Sequence, residues 1–185
     1  DADAVTAEGH DNVLTVTCES CEAPVLSLPF PPSGFVDRDD EAVAAAFDRR
    51  HRHRLAMLRG DVCPECAGVV DREFGDVTAA AERADDEPPA PLQVRQTCRR
   101  CGYTLASPVT LTLLEHPAVV AFYREHDEAI RERPLWNVGE EWAEAVVSTD
   151  PFCVRVAATL DEEVLSLFLD RDMRVLGTRR EPLAG

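Results

Sequence analysis

The chain has no lysine. All 19 basic residues are arginine, set against 35 aspartates and glutamates, for a formal charge of −16. That balance excludes a broad cationic face, and with it general binding to nucleic acid or anionic lipid. Long apolar runs are also missing. Nothing approaches the roughly 18 residues that span a bilayer, and no leader pattern opens the sequence. No membrane partner is expected, and a cytoplasmic location is. Isoleucine occurs once, at Ile130. Arginine without lysine, one isoleucine and abundant Ala, Val, Asp and Glu point to a GC-rich genome. The acidic excess suits solubility in high salt, and together these features fit a halophilic microbe. Catalytic signatures are absent as well: no G-x-S-x-G, no P-loop, no dinucleotide glycine fingerprint and no H-E-x-x-H, so no enzyme is expected. The first residue is Asp1 rather than Met, which suggests a fragment of a longer chain.

What is present is a core-forming composition, 45% hydrophobic, and seven cysteines. Six form three C-x-x-C pairs: Cys18/Cys21, Cys63/Cys66 and Cys98/Cys101, while Cys153 stands alone and reads as a small hydrophobe. An odd count without a secretion signal argues against a disulfide framework. Two thiolates three positions apart bracket one ion on a tight turn, and two such turns complete a tetrahedral site. Between Cys66 and Cys98, Val69, Val70 and Phe74 follow the first turn, and Leu92 and Val94 precede the second. A Pro-rich stretch over 84–91 reads as the loop between them. Turn, strand, loop, strand, turn is the order of a zinc ribbon, so Cys63, Cys66, Cys98 and Cys101 are expected to hold one structural zinc.

Cys18 and Cys21 follow a strand, Asn12 to Thr17, as the closing half of such a ribbon would. They make a metal half-site without an opening half. Three completions stay open: cysteines of a missing N-terminal segment, the same pair across a dimer, or His10. The remaining alternative is two free thiols.

Between the first two pairs, an extended Leu28–Phe35 segment leads to a helix. Asp39 or Asp40 suits its N-cap, Ala44, Phe47, His51, Leu55 and Leu58 its apolar stripe, and Gly60 its end. Residues 48–59 hold five arginines, and Arg49, Arg50 and Arg52 are the candidate contact with a partner. A solvated face paired with carboxylates is the plainer reading. Beyond Tyr103, short helices over 109–115 and 117–130 imitate a helix-turn-helix, but the would-be reading helix carries Glu125, Asp127 and Glu128, which excludes DNA reading there. Strands are expected over 143–148, 152–159, 164–170 and 173–178. Trp136 and Trp142, with His116, are candidates for a small-molecule pocket, although such residues more often anchor a loop to a sheet.

The expected class is α+β: zinc-ribbon hairpins with a long helix, then a small helical segment and an antiparallel β-meander. The divisions are 1–27 (partial ribbon), 28–60 (Pro-rich segment and helix), 61–104 (ribbon) and 105–185 (α+β domain). Taken in order, the Cys18/Cys21 turn, Leu28-Pro29-Phe30-Pro31-Pro32-Ser33-Gly34, Ala45-Ala46-Phe47-Asp48-Arg49, Arg52-His53-Arg54-Leu55, Cys63-Pro64-Glu65-Cys66, Cys98-Arg99-Arg100-Cys101-Gly102 and Pro134-Leu135-Trp136-Asn137 resemble the C-terminal region of haloarchaeal winged-helix, ArsR-like transcriptional regulators. The resemblance implies a regulatory, effector or dimerisation module, a homodimer, and DNA contact only through an N-terminal winged helix absent here. The rival readings are a zinc-ribbon protein-interaction adaptor, and an enzyme with a pocket near Trp136 and Trp142.

Overall fold

The computed structural model describes residues 5–75 and 91–183. The chain divides into two compact units, one of residues 1–53 and 133–139, the other of 54–132 and 140–185.

In the first unit, β1 (Val5–His10), β2 (Val13–Cys18) and β3 (Pro24–Pro29) form an antiparallel sheet in that order. Asp11 and Asn12 make the two-residue turn between β1 and β2, with φ of 50° and 63°. Paired left-handed residues match the twist of a hairpin, and Asp and Asn tolerate that region best after glycine. Along β2, Leu14, Val16 and Cys18 alternate inward. Leu14 and Val16 share a core with α1 (Asp40–Arg59), whose start Asp39 caps: its Oδ1 accepts from the Ala42 amide at 2.9 Å. Leu14, Val16, Phe30, Val43 and Phe47 make the core, with Trp136 packed against it. Phe47 is fully buried and stacks edge-on against Phe30 at 5.5 Å and His51 at 4.6 Å. Burying such a ring contributes about 2–3 kcal/mol. The 133–139 segment is tied down by the Leu135 amide, which donates to Asp48 at 2.7 Å.

The second unit has two sheets. β4 (Val70–Phe74), β5 (Gln93–Cys98) and β6 (Thr104–Pro108) form one, with β5 central. β7 (Trp142–Thr149), β8 (Phe152–Leu160), β9 (Glu163–Leu169) and β10 (Val175–Pro182) form the other, in the order β10-β9-β8-β7. Val154, Val156, Ala158, Leu165, Leu167 and Leu169 are buried. β10 ends in Pro182, which an edge strand accommodates because no ladder donor is needed there. The second helix, α2 (Pro117–Glu125), begins with Pro117 at a position where its missing amide is no loss. Its cap is His116, whose Nδ1 accepts from the Ala118 amide at 3.2 Å. Glu144 on β7 brackets two neighbouring segments, accepting from the Thr110 amide at 2.7 Å and from the Leu92 amide. Burial pushes its carboxyl up, against the pull of these donors.

These elements correct the α+β class. Among the described residues the chain is mainly β: ten strands in three antiparallel sheets and two α-helices. The helix expected over 109–115 is a single 3₁₀ turn at Thr110–Thr112, where Glu144 takes up the Thr110 amide and hydroxyl. The helix expected to reach 130 stops at Glu125, because Asp127 turns left-handed at φ 57°. The N-terminal segment forms the three-stranded sheet β1-β2-β3. Most of the expected Pro-rich loop, 84–90, lies outside the described residues.

Candidate metal centre

Each C-x-x-C pair sits on the same backbone turn. The Cys63 amide donates to the Gly68 carbonyl at 2.9 Å, and the Ala67 amide returns to the Cys63 carbonyl at 2.9 Å. At Cys98 the bonds are Cys98 N–H to the Tyr103 carbonyl, 2.8 Å, and Gly102 N–H to the Cys98 carbonyl, 3.1 Å. The fifth residue of each turn is left-handed: Ala67 at φ 58° and Gly102 at φ 74°. This closes a loop tight enough to aim amides at sulfur. The Glu65 amide reaches Cys63 Sγ at 3.4 Å, and the Arg100 amide reaches Cys98 Sγ at 3.3 Å.

The β4–β5 pairing sets Val70 opposite Cys98 and so brings the two turns face to face. All four sulfurs lie within 4.8 Å of one another. Cys63 and Cys101 are 3.7 Å apart and Cys66 and Cys98 3.5 Å. A tetrahedral zinc with bonds of about 2.3 Å places its sulfurs roughly 3.8 Å apart, so the spacing fits an ion with little adjustment. Gly68 permits the approach. A Cβ there would lie 3.0 Å from Arg100 Cβ and 3.1 and 3.2 Å from the sulfurs of Cys98 and Cys66.

The thiols are electrostatically unequal. The amides of Cys101 and Arg100 pull Cys98 down to about 6. Against the lowering pull of the Tyr103 amide, the neighbouring thiol of Cys66, burial, and the thiols of Cys63 and Cys98 hold Cys101 up to about 12. Four sulfurs this close cannot all ionise unaided; a divalent cation relieves the crowding, and its binding releases protons.

Three arginines fix the frame. Arg54, near the end of α1, donates to the Tyr103 hydroxyl at 3.0 Å, lies over that ring at 5.3 Å, and pairs with Glu65. It thereby joins the turn of Cys63–Cys66 to the residue just past Cys101. Arg99 grips Asp71 on β4 through Nε at 2.8 and 2.9 Å. Arg72 caps the end of α1, donating to the carbonyls of Leu58 at 3.0 Å and Arg59 at 2.7 Å. Sequence reasoning missed the role of Arg54, which in sequence is one of five arginines on a basic stretch and whose partners are distant in the chain; it marked Gly68 for a positive φ, but Ala67 takes the left-handed place and Gly68 serves the close approach.

The Cys18–Cys21 turn has the same backbone as the other two. Cys18 N–H donates to the Ala23 carbonyl at 3.0 Å, Glu22 N–H to the Cys18 carbonyl at 2.9 Å, and Glu22 is left-handed at φ 57°. The Ser20 hydroxyl, then the Cys21 and Ser20 amides, lower the Cys18 thiol to about 7. His10 does not complete this pair. The register sets Val5 opposite Cys18 and His10 opposite Val13, at the far end of the hairpin.

The other expected site residues are accounted for within their own units. Trp136 packs on Phe47 at 6.2 Å and lines a cavity of about 690 Å³ with Leu14, Val16, Val43 and Phe47. Trp142 stacks on Tyr123 at 6.2 Å. His116 caps α2, and burial, then Arg59, lowers its pKa. Within its own unit each of the three thus has an anchoring role. In the basic stretch only part of the charge faces solvent. Arg49 is exposed and Arg50 half-buried, but Arg52 is buried, pairing with Asp48 at 2.9 Å and donating to the Arg133 carbonyl.

No helix among the described residues is long and apolar enough to cross a membrane. No curated protein and no solved structure matches the chain. A family match covers residues 1–175, nearly the whole sequence. The chain belongs to that family, DUF7351, a domain of unknown function.

Proposed function

We propose that this chain is a zinc-stabilised regulatory or dimerisation module of a transcriptional regulator, in which the zinc is structural. The observation that carries the zinc is the four-sulfur cluster, with separations of 3.5 and 3.7 Å. Four thiolates fill a tetrahedral zinc and leave no open position for water or substrate, so the metal holds the β4–β6 sheet together and does no chemistry. The regulatory part of the reading rests on the resemblance to winged-helix regulators, and the charge distribution is compatible with it. Arg52 and Arg54 of the basic stretch are turned to internal partners, and α2 carries Glu125, so groove reading falls to a separate winged helix. The cavity beside Trp136 is where an apolar effector would sit.

The test fuses the chain to a DNA-binding domain that represses only as a dimer. Repression is expected from the wild-type fusion and its loss from Cys63→Ser. A zinc-loaded, folded fusion that fails to repress overturns the regulatory reading, while a chain that takes up no zinc under reducing conditions overturns the metal centre.

A further inference from the structure

Cys18 and Cys21 reproduce, bond for bond, the turns that carry the four-sulfur cluster, yet they are not among those four ligands. The likeness extends to burial. In each pair the first cysteine is buried and the second exposed: Cys18 and Cys21, Cys63 and Cys66, Cys98 and Cys101. It extends to the backbone as well, since Glu22 holds the left-handed place of Ala67 and Gly102 despite its Cβ. Ser20 Oγ lies 2.9 Å from Cys18 Sγ, which orients that sulfur.

The register shows where further ligands belong. In the closed centre Val70 pairs with Cys98, and Cys66 lies four residues before Val70. In the first sheet Val5 pairs with Cys18, so the matching place is at the Val5 end of β1. His10 is five positions along that strand, roughly 17 Å away at the ordinary strand rise. Two thiolates fill half of a tetrahedral zinc.

We propose that the Cys18–Cys21 turn is half of a second tetrathiolate zinc centre, completed by two thiolates arriving at the Val5 end of β1. The source that needs nothing beyond this sequence is the same turn of a second copy. A two-fold axis through the metal would set four sulfurs around it in two symmetry-related pairs, because an isologous contact uses one patch twice. Another polypeptide carrying a C-x-x-C turn offers the same chemistry. This proposal goes beyond the regulatory reading and does not depend on it, since it is read from the number of metals and chains in the particle.

The test is titration of the reduced, metal-stripped full chain with Co(II) and then Zn(II), with mass spectrometry under native conditions. The expected result is a dimer holding three metals per two chains: one in each closed centre and one shared. Cys21→Ser, at an exposed position, should abolish the shared metal and the dimer while keeping the circular dichroism and one metal per chain. If the wild type stays monomeric with one metal, a synthetic C-x-x-C peptide is added. Uptake of a second metal that is lost in Cys21→Ser then assigns the completing thiolates to another polypeptide. The proposal is overturned by one metal per chain with or without the peptide, by a second metal indifferent to Cys21→Ser, or by a second metal held in the monomer without added thiol.

Discussion

Replacing Arg54 by Met tests whether the basic stretch of α1 serves the metal centre or an outside partner. Met keeps the apolar stem and removes the guanidinium. Three interactions go with it. The bond to the Tyr103 hydroxyl, 3.0 Å from a charged donor, contributes about 1.5 kcal/mol. The pair with Glu65 is screened, because Glu65 is 45% exposed, and contributes about 1 kcal/mol. The guanidinium over the Tyr103 ring, at 5.3 Å, adds about 0.5 kcal/mol. The loss is then about 3 kcal/mol, which for a chain of 185 residues lowers the melting midpoint by roughly 6–12 °C. Calorimetry with saturating zinc reads it, on the transition that Cys63→Ser also perturbs. Arg54→Lys should recover less than half, since an ammonium cannot fork between Glu65 and Tyr103. A midpoint unchanged within about a degree for Arg54→Met, with zinc retained, would refute the bracing role and return Arg54 to the surface.

Glu144→Ala should destabilise the second unit by about 2–4 kcal/mol in denaturant titration, because it strands the amides of Thr110 and Leu92. Burial raises the Glu144 carboxyl, so its contribution is full below the ordinary carboxylate pKa and falls as pH rises through the higher folded value. Glu144→Gln should flatten that slope. The chain alone should bind mixed-sequence duplex DNA weakly at physiological salt, because few phosphates can be neutralised against a charge of −16. Sub-micromolar, sequence-selective binding that disappears when Arg49, Arg50 and Arg52 are replaced by Ala would contradict this.

The cysteine pairs were legible because a C-x-x-C turn is local: four consecutive residues define it. The bounds of α1 were legible for the same reason, in Asp39 at its start and Gly60 past its end. β1 was not. Thr6, Ala7, Glu8, Gly9 and His10 are all exposed, so no alternation of apolar residues marks the strand. The apolar side of that hairpin is supplied by β2. The one available signal was Asp11-Asn12, a pair suited to a left-handed turn. β3 escaped for a related reason, since Pro24 and Pro29 at its ends read as breakers, whereas an edge strand tolerates them. The extent of α2 was overestimated because its polar residues continue past the point where the backbone of Asp127 reverses. Closeness in sequence did not say what Trp136 and Trp142 would each pack on. One packs on Phe47 and the other on Tyr123.

The missing lysines have a structural counterpart. Arg72 alone serves the carbonyls of Leu58, Arg59 and Asp172 and the carboxylate of Asp61. Arg52 bridges Asp48 and the Arg133 carbonyl. Arg180 bridges Glu125 and Glu163, and Arg99 forks onto both oxygens of Asp71. Each place asks for several donors in fixed directions, which a planar guanidinium supplies and an ammonium does not. The same usage explains why a stretch with five arginines does not make a cationic face. Arg52 and Arg54 donate inward, Arg59 is half-buried, and the solvent-facing remainder is Arg49 with part of Arg50. In a chain this acidic, arginine acts as a clamp between the chain's own carbonyls and carboxylates. The clamps at Arg54, Arg72 and Arg99 all act on the turns, strand and helix end around the four-sulfur cluster, so stripping the metal should loosen these ion pairs together.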